Sequence, residues 1–269
     1  MAHLERFSDF FDQQASFWRD LYLEEDVYAS IHRERRGWAL QKVSELALAD
    51  DSVVLDAGMG AGGLATTVAE AGLRVVGVDA SAGMLSLARK TVRDCDLDDR
   101  IVTVHADAED LPFPDEAFPL VMALGLVPWV DDAGRLVKEL ARVTAAGGHV
   151  ILNADNLTRL THALDPLLNP RLARLRRAVA GALGRGRPHG VRVTLHTRSG
   201  FERLLADAGL EILEVRPLGF GPFTVAGTHL LPHSLARGLN RLLQRLADHG
   251  IPMVRSTGCQ HLVLARRPA

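Results

Sequence analysis

Two cysteines, Cys95 and Cys259, lie far apart in a chain of 269 residues and form no CxxC pair. The sequence therefore offers neither a disulfide framework nor a thiolate zinc site, and it suits a reducing compartment. A dominant charge is missing too, since 31 Lys+Arg stand against 33 Asp+Glu for a formal −2. Such a balance sets up no global field toward nucleic acid or an acidic membrane, so a nucleic-acid substrate is disfavoured. Long apolar runs are also absent. The longest, PLVMALGLVPWV at Pro119 to Val130, falls well short of the ~20 residues that cross a bilayer. The N-terminal MAHLERFSDFFDQQASFW carries acids and polar residues where a signal peptide needs an unbroken apolar stretch. There is no internal repeat and no low-complexity segment. The expectation is a soluble cytoplasmic protein whose 47% apolar residues bury a sizeable core.

What is present is an alternation. Between Ser52 and Asn153, short apolar runs alternate with helical patterns, the signature of a parallel sheet covered by helices. The runs VVLDA (53–57), RVVGVDA (74–80), IVTVHAD (101–107), PLVMALG (119–125) and HVILN (149–153) predict strands. Helices are predicted over 63–71, 82–93 and 132–145, with Ser81 capping the second and Gly147–Gly148 turning into the fifth strand. After Asn153 the pattern breaks into an insertion ending in GALGRGRPHG. Order returns with a helix capped by Ser199 and closed by Gly209, then a strand over 211–218. A second insertion over 221–256 carries leucines 235, 239, 242, 243 and 246 at helical spacing, and CQHLVLARR closes with a final strand.

The turn after the first strand, VVLDAGMGAGG, satisfies two fingerprints. Gly58, Gly60 and Gly63 fit GxGxxG of dinucleotide folds, while Asp56, Gly58, Gly60 and Gly62 fit DxGxGxG of S-adenosylmethionine (SAM) sites. Either way the glycines let backbone approach a ligand at a helix N-terminus. Asp79, at the end of the second strand, serves a ribose in both systems. Asp56 separates them, because a carboxylate there repels a pyrophosphate but suits SAM, which carries a sulfonium and an ammonium. HADAEDLPF adds Asp107 and Glu109 after the third strand, where a carboxylate can read an adenine amino group.

Together VLDAGMGAGGLA, VVGVDASAGML, HADAEDLPF, FPLVMALGLVPWV, RLVKELARVTAAGG and GGHVILN resemble a class I SAM-dependent methyltransferase of the ubiquinone and menaquinone biosynthesis type. The resemblance is close over 48–155 and looser over 197–220 and 257–269. It implies an α/β, Rossmann-like seven-stranded sheet with the last strand antiparallel, flanked by helices. It divides the chain into an N-terminal helical lid (1–48), the SAM-binding core (49–155 with 197–220 and 257–269) and helical insertions over 156–196 and 221–256. By the same resemblance Asp56, Gly58, Gly60 and Gly62 line the methionine end, Asp79 and Ala80 the ribose, Asp107 and Ala108 the adenine, and Ala123 the floor beneath the cofactor. SAM is the implied cofactor and S-adenosylhomocysteine (SAH) its product.

No motif names a base. Where this family often has a histidine after the fourth strand, the chain has Trp129, which suits a pocket wall. Tyr28, His32 and Arg35 share one helical face in the lid segment, making His32 the candidate base, with Tyr28, Arg35 and Tyr22 around the substrate. Asp155 and Asn156 resemble the Asp-Asn pair of magnesium-dependent O-methyltransferases, but the third acid after the fourth strand is missing, so no metal is expected. His229 and His233 have HxxxH spacing broken by Pro232. Six arginines and no acid occupy 171–187, a pattern that suits an anionic substrate or membrane surface, or a solvated face. The expected function is methyl transfer from SAM to a small, largely apolar metabolite, on oxygen, beneath a cover formed by the two insertions. Nitrogen or carbon acceptors, a non-catalytic SAM-fold protein and an NAD oxidoreductase are the alternatives. No nucleic-acid partner and no stable membrane insertion are expected, and the oligomeric state is open.

Overall fold

The computed structural model describes residues 11–12, 25–174, 178, 193–226 and 228–269. A long helix α1 (Val27–Glu45) precedes strand β1 (Val53–Ala57), helix α2 (Gly63–Glu70), β2 (Arg74–Asp79), α3 (Ala82–Asp94), β3 (Ile101–His105) and β4 (Phe118–Ala123). Then come α4 (Ala133–Val143), β5 (Thr144–Asp155), a short α5 (Leu160–Leu164), α6 (Arg198–Asp207) and β6 (Glu211–Leu218). A two-stranded ribbon, β7 (Thr224–Val225) with β8 (Thr228–His229), leads into α7 (His233–Asp248), α8 (Pro252–Arg255) and β9 (Gln260–Arg266).

The main sheet has seven strands in the order β3-β2-β1-β4-β5-β9-β6. β9 runs antiparallel to both neighbours, pairing Leu264 with Ile151 on one side and Val263 with Val215 on the other. The expected sheet is therefore present, with the reversed strand inside it. The chain runs outward from β1 to β3 and then returns to place β4 on the other side of β1. That reversal opens a crevice at the carboxyl ends of β1 and β4, where open α/β sheets hold ligands.

Alternation along the strands feeds two cores, one on each face. In β9, Leu262 and Leu264 join Val54, Met122 and Ile151 under α1, α2 and α3, while Val263 and Ala265 join Leu55, Val121 and Leu152 under α4 and α6. One local expectation holds and two shift. Ser81 caps α3 as expected, accepting from Met84 N at 3.0 Å. α6 is capped by Thr197, whose hydroxyl accepts from Gly200 N at 3.1 Å; Ser199 lies inside the helix, two residues too late to serve. β5 starts at Thr144, so Gly147, at φ +73°, sits within the strand at a register shift against Phe118 and Leu120, a bulge and not a turn.

The leucine spacing in the second insertion makes a helix, α7, in which Leu239 and Leu243 pack against the core, Leu235, Leu242 and Leu246 face solvent, and Asn240 and Gln244 are buried. Much of the arginine-rich stretch 171–187 lies outside the described residues, as do Tyr22 and the rest of residues 1–10 and 13–24 of the lid segment.

Candidate functional site

A cavity of about 560 Å³ occupies the crevice between β1 and β4 and continues under α1. Its cofactor-side wall begins with the turn after β1. Gly58, Gly60 and Gly62 all adopt positive φ, at +73°, +54° and +84°. This is backbone that L side chains adopt only under strain, so the fingerprint spacing is a conformational requirement. Gly58 N and Met59 N donate to Val78 O at 2.7 and 2.9 Å, tying the turn to β2. A Cβ on Gly60 would meet nothing within 4 Å, leaving space for a ligand against the backbone. Gly62 instead caps α2 and packs on Ala88, where a Cβ would stand 3.4 Å away. It shapes the turn and does not line the cavity.

Two carboxylates face this wall. Asp79 accepts from Gly60 N at 2.8 Å and Ser81 N at 2.9 Å, so the second strand's acid is clamped by the loop it follows. Burial raises its pKa, and those backbone donors pull against the rise. Asp56 is buried with no hydrogen-bond partner on Oδ2. Burial, helped by the Asp79 charge, pushes its pKa up to about 7. A buried carboxylate oxygen without a partner suits a cationic guest, and the Arg36 charge only partly opposes the rise. Arg36 reaches the start of the next helix, donating to Thr67 Oγ1.

Ala80, Asp107 and Ala108 line the far end of this half with Met84 and Leu126. Asp107 Oδ1 accepts from Glu109 N at 2.9 Å. Glu109 itself is engaged by Asp131 N at 2.8 Å, pinning the loop before α4. Ala123 is fully buried and does not line the cavity; Leu124, Gly125 and Leu126, the next three residues, do.

The other half is built from α1, the end of β5 and the start of β9. Tyr28, His32 and Arg35 share a face as predicted, and all three line the cavity. The His32 and Tyr28 rings lie 4.5 Å apart, and Arg35 Nη2 stands 3.0 Å from His32 Nδ1. Burial, and next the Arg35 charge, holds the imidazole pKa well below its ordinary value. A guanidinium only donates, so Nδ1 of this neutral ring accepts and its proton sits on Nε2. The Nδ1 lone pair of His32 is thus engaged by Arg35. Trp129 stands in a 3₁₀ turn, its ring edge-on to Phe11 at 5.0 Å. The neighbouring Asp12 accepts from Gly83 N at 2.9 Å, so residues 11–12 touch both sides of the crevice.

Several residues at or beside the cavity have roles that the sequence did not reveal. Asp155, weighed there only as a metal ligand, accepts from Gln260 Nε2 at 3.1 Å and pairs with Arg159 at 3.6 Å. Burial raises its pKa while Arg159 and Arg35 oppose the rise. Gln260 Oε1 is buried without a partner. Asn156 is committed elsewhere, donating to Ser256 O and Gly258 O at 2.9 and 2.7 Å. Among the described residues no three His, Cys, Asp or Glu side chains cluster to hold a metal ion. Gly77 was also overlooked: a Cβ there would fall 2.2 Å from Met59 Sδ, so this glycine makes room for the turn.

Residues 55–152 match the family described as a methyltransferase domain, Methyltransf_11. The chain is 34% identical over 170 residues to phosphatidylethanolamine N-methyltransferase of Cereibacter sphaeroides, covering 62% of this chain and 74% of that one. It is 35% identical over 116 residues to demethylmenaquinone methyltransferase of Clavibacter sepedonicus, there spanning 43% of this chain and 46% of the relative. Its fold matches magnesium protoporphyrin IX methyltransferase of Synechocystis PCC 6803, solved with bound SAH, at a TM-score of 0.67 and 16% identity over 98% of this chain and 99% of that one. The chain belongs to the class I SAM-dependent methyltransferases. SAM is its cofactor, and the orphaned Asp56 carboxylate and the open backbone at Gly60 fit that cationic ligand.

Proposed function

We propose that the protein methylates a hydroxyl group on a small, largely apolar metabolite, with Asp155 as the group that takes the hydroxyl proton. The observation that carries this reading is the buried Asp155 carboxylate, raised in pKa and oriented by Gln260 and Arg159 at the end of the cavity away from the glycine turn. Cofactor roles divide by charge. Asp56 holds the ammonium, Arg36 the carboxylate, Asp79 with Ala80 the ribose, and Asp107 with Ala108 the adenine. When bound, SAM supplies an electrophilic methyl group on a sulfonium sulfur.

The chain's own residues then position and deprotonate. A hydroxyl entering past Ile31, Leu168 and Pro222 meets apolar walls before the polar cluster. Its proton passes to Asp155, whose basicity is heightened by burial. The unpartnered Gln260 Oε1 accepts a second donor of the acceptor molecule. His32 Nε2–H and the Tyr28 phenol fix the acceptor's remaining polar atoms, which makes His32 a positioning group and moves the base to β5. α1 and Phe11 close over the cavity and exclude water. The unpaired thiols of Cys95 and Cys259 suit a cytoplasmic setting.

Asp155→Asn tests this. SAM affinity by calorimetry should stay within about twofold, while kcat on a hydroxylated acceptor falls by ~10² to 10⁴. In the wild type kcat should rise with pH through a pKa above the ordinary carboxylate range, and the variant should lose that limb. Unchanged kcat in the variant, or SAH release with amines and not alcohols, would overturn the reading.

A further inference from the structure

α7 buries polar side chains and exposes three of its leucines. Asn240 Oδ1 accepts from Phe220 N at 2.8 Å, Gln244 Oε1 accepts from Gly219 N at 3.0 Å, and Gln244 Nε2 donates to Pro217 O at 3.0 Å. The helix thus uses polar side chains to grip the loop leaving β6. Leu239 and Leu243 pack beside these groups against the core, while the other three leucines face outward. Leu235, Leu242 and Leu246, separated by seven and four residues, form one stripe, and the first two are 60% and 53% exposed. Ile251 N bonds to Leu246 O at 3.1 Å, and Met253, two residues on, is 83% exposed, so the apolar surface continues past the helix end.

Cations border that surface. Arg241 and Arg245 are exposed on the turns beside the stripe. Arg237 lies 3.7 Å from Glu25. Over residues 228–258 the sole acid is Asp248, which is held bidentate by Arg216 at 2.9 and 2.8 Å. Exposed leucines edged by arginines complement an anionic lipid surface, where the apolar side chains enter the interface and the guanidiniums meet phosphates. A second copy of the same face would set arginine against arginine across a two-fold axis. Among the described residues no helix is long and apolar enough to cross a membrane, so the contact is peripheral.

We infer that α7 and the turn following it dock this protein on an anionic bilayer surface. This goes beyond the methyl transfer reaction and needs no part of it. The placement still matters for the site, because the loop held by Asn240 and Gln244 runs on to Gly221 and Pro222, which line the cavity. The docked face therefore lies one helix away from the acceptor end, on the short path for a molecule dissolved in the bilayer.

The test is sedimentation of the full chain with phosphatidylcholine vesicles, with and without phosphatidylglycerol. Binding is expected to the anionic vesicles and to fall as salt rises. The triple variant Leu235→Gln, Leu242→Gln, Leu246→Gln should keep the wild-type unfolding temperature and SAM affinity yet bind these vesicles at least about tenfold more weakly. Arg241→Gln with Arg245→Gln should weaken binding by about tenfold and reduce its salt dependence. Wild-type protein that stays in the supernatant, or a triple variant that binds as well, would overturn the inference. So would a leucine-dependent dimer in lipid-free solution, which would put a second copy on this face. A lowered unfolding temperature of the triple variant would put the chain's own segment there and overturn it equally.

Discussion

At the end of the cavity proposed for the cofactor the polar groups are backbone amides and carboxylates from three consecutive strand ends, whereas at the end proposed for the acceptor they are side chains gathered from α1, β5 and β9. The first arrangement is local. Asp56, Gly60 and Asp79 lie within 24 residues of sequence, and bonds such as Gly60 N to Asp79 at 2.8 Å set their geometry before any ligand arrives. The second depends on long-range register. Asp155 meets Gln260 because β5 and β9 pair those two residues directly across an antiparallel ladder. A site made of backbone tolerates little change and serves one ligand, while a site made of side chains can be rewritten residue by residue. One cofactor end can thus accompany many acceptor ends.

Substitutions on the two sides should separate accordingly, and the largest effect belongs to the backbone. Gly60→Val fills the open space at φ +54°, and SAM affinity by calorimetry should fall by more than about 100-fold. Wild-type affinity in a cooperatively folding variant would break the contrast at its strongest point.

Asp56→Asn should act next, through pH. With a folded pKa raised from 3.8 to about 7, the ligand-free protein keeps a proton that the unfolded chain has released. This carboxyl's contribution to ligand-free stability is therefore fully present below pH 3.8, declines as pH rises through about 7 and is flat above. SAM's ammonium requires the ionised form, so wild-type affinity should rise with pH, by up to about tenfold per unit, until it levels off near 7. The Asn variant should show about ten- to a hundredfold weaker binding at high pH and no such slope. A slope that survives the substitution would assign it to another group.

The smallest effect sharpens the acceptor side. His32→Ala should leave SAM affinity within about twofold, raise the acceptor KM and lower kcat by less than about tenfold, as expected of a positioning group and not a base. A kcat loss of ~10² or more with disappearance of the rising pH limb would return the base to the imidazole.

The same contrast decides how much was legible in the sequence. The sheet was, because the alternation in VVLDA and RVVGVDA and the fingerprint spacing are local properties whose physical causes act within a few residues. The faces of Tyr28, His32 and Arg35 were legible from helical period. Gln260 was not, since its role exists only through a strand pairing more than a hundred residues long. The orientation of α7 was not legible for a related reason: periodicity finds the leucines but cannot tell which of them face the protein, and here the inner face carries Asn240 and Gln244, which bond the backbone of residues 217–220, beside Leu239 and Leu243. The protonation of His32 depends on an arginine three residues on, close enough to be seen but only in three dimensions shown to point at Nδ1.

The position of β9 between β5 and β6 has a consequence for the order of events at the ribosome. Both neighbours are synthesised before it, and until Gln260–Arg266 arrives the inner edge of β5 has no strand to bond. A nascent chain can assemble β1 to β5 with the glycine turn, yet it carries an open edge of the kind that invites stray pairing. The last strand to emerge then does two jobs in one step, closing that edge and delivering Cys259 and Gln260 to the cavity wall. The glycine turn can therefore form before the cavity wall is complete, and the same strand insertion that ends the open edge also finishes that wall.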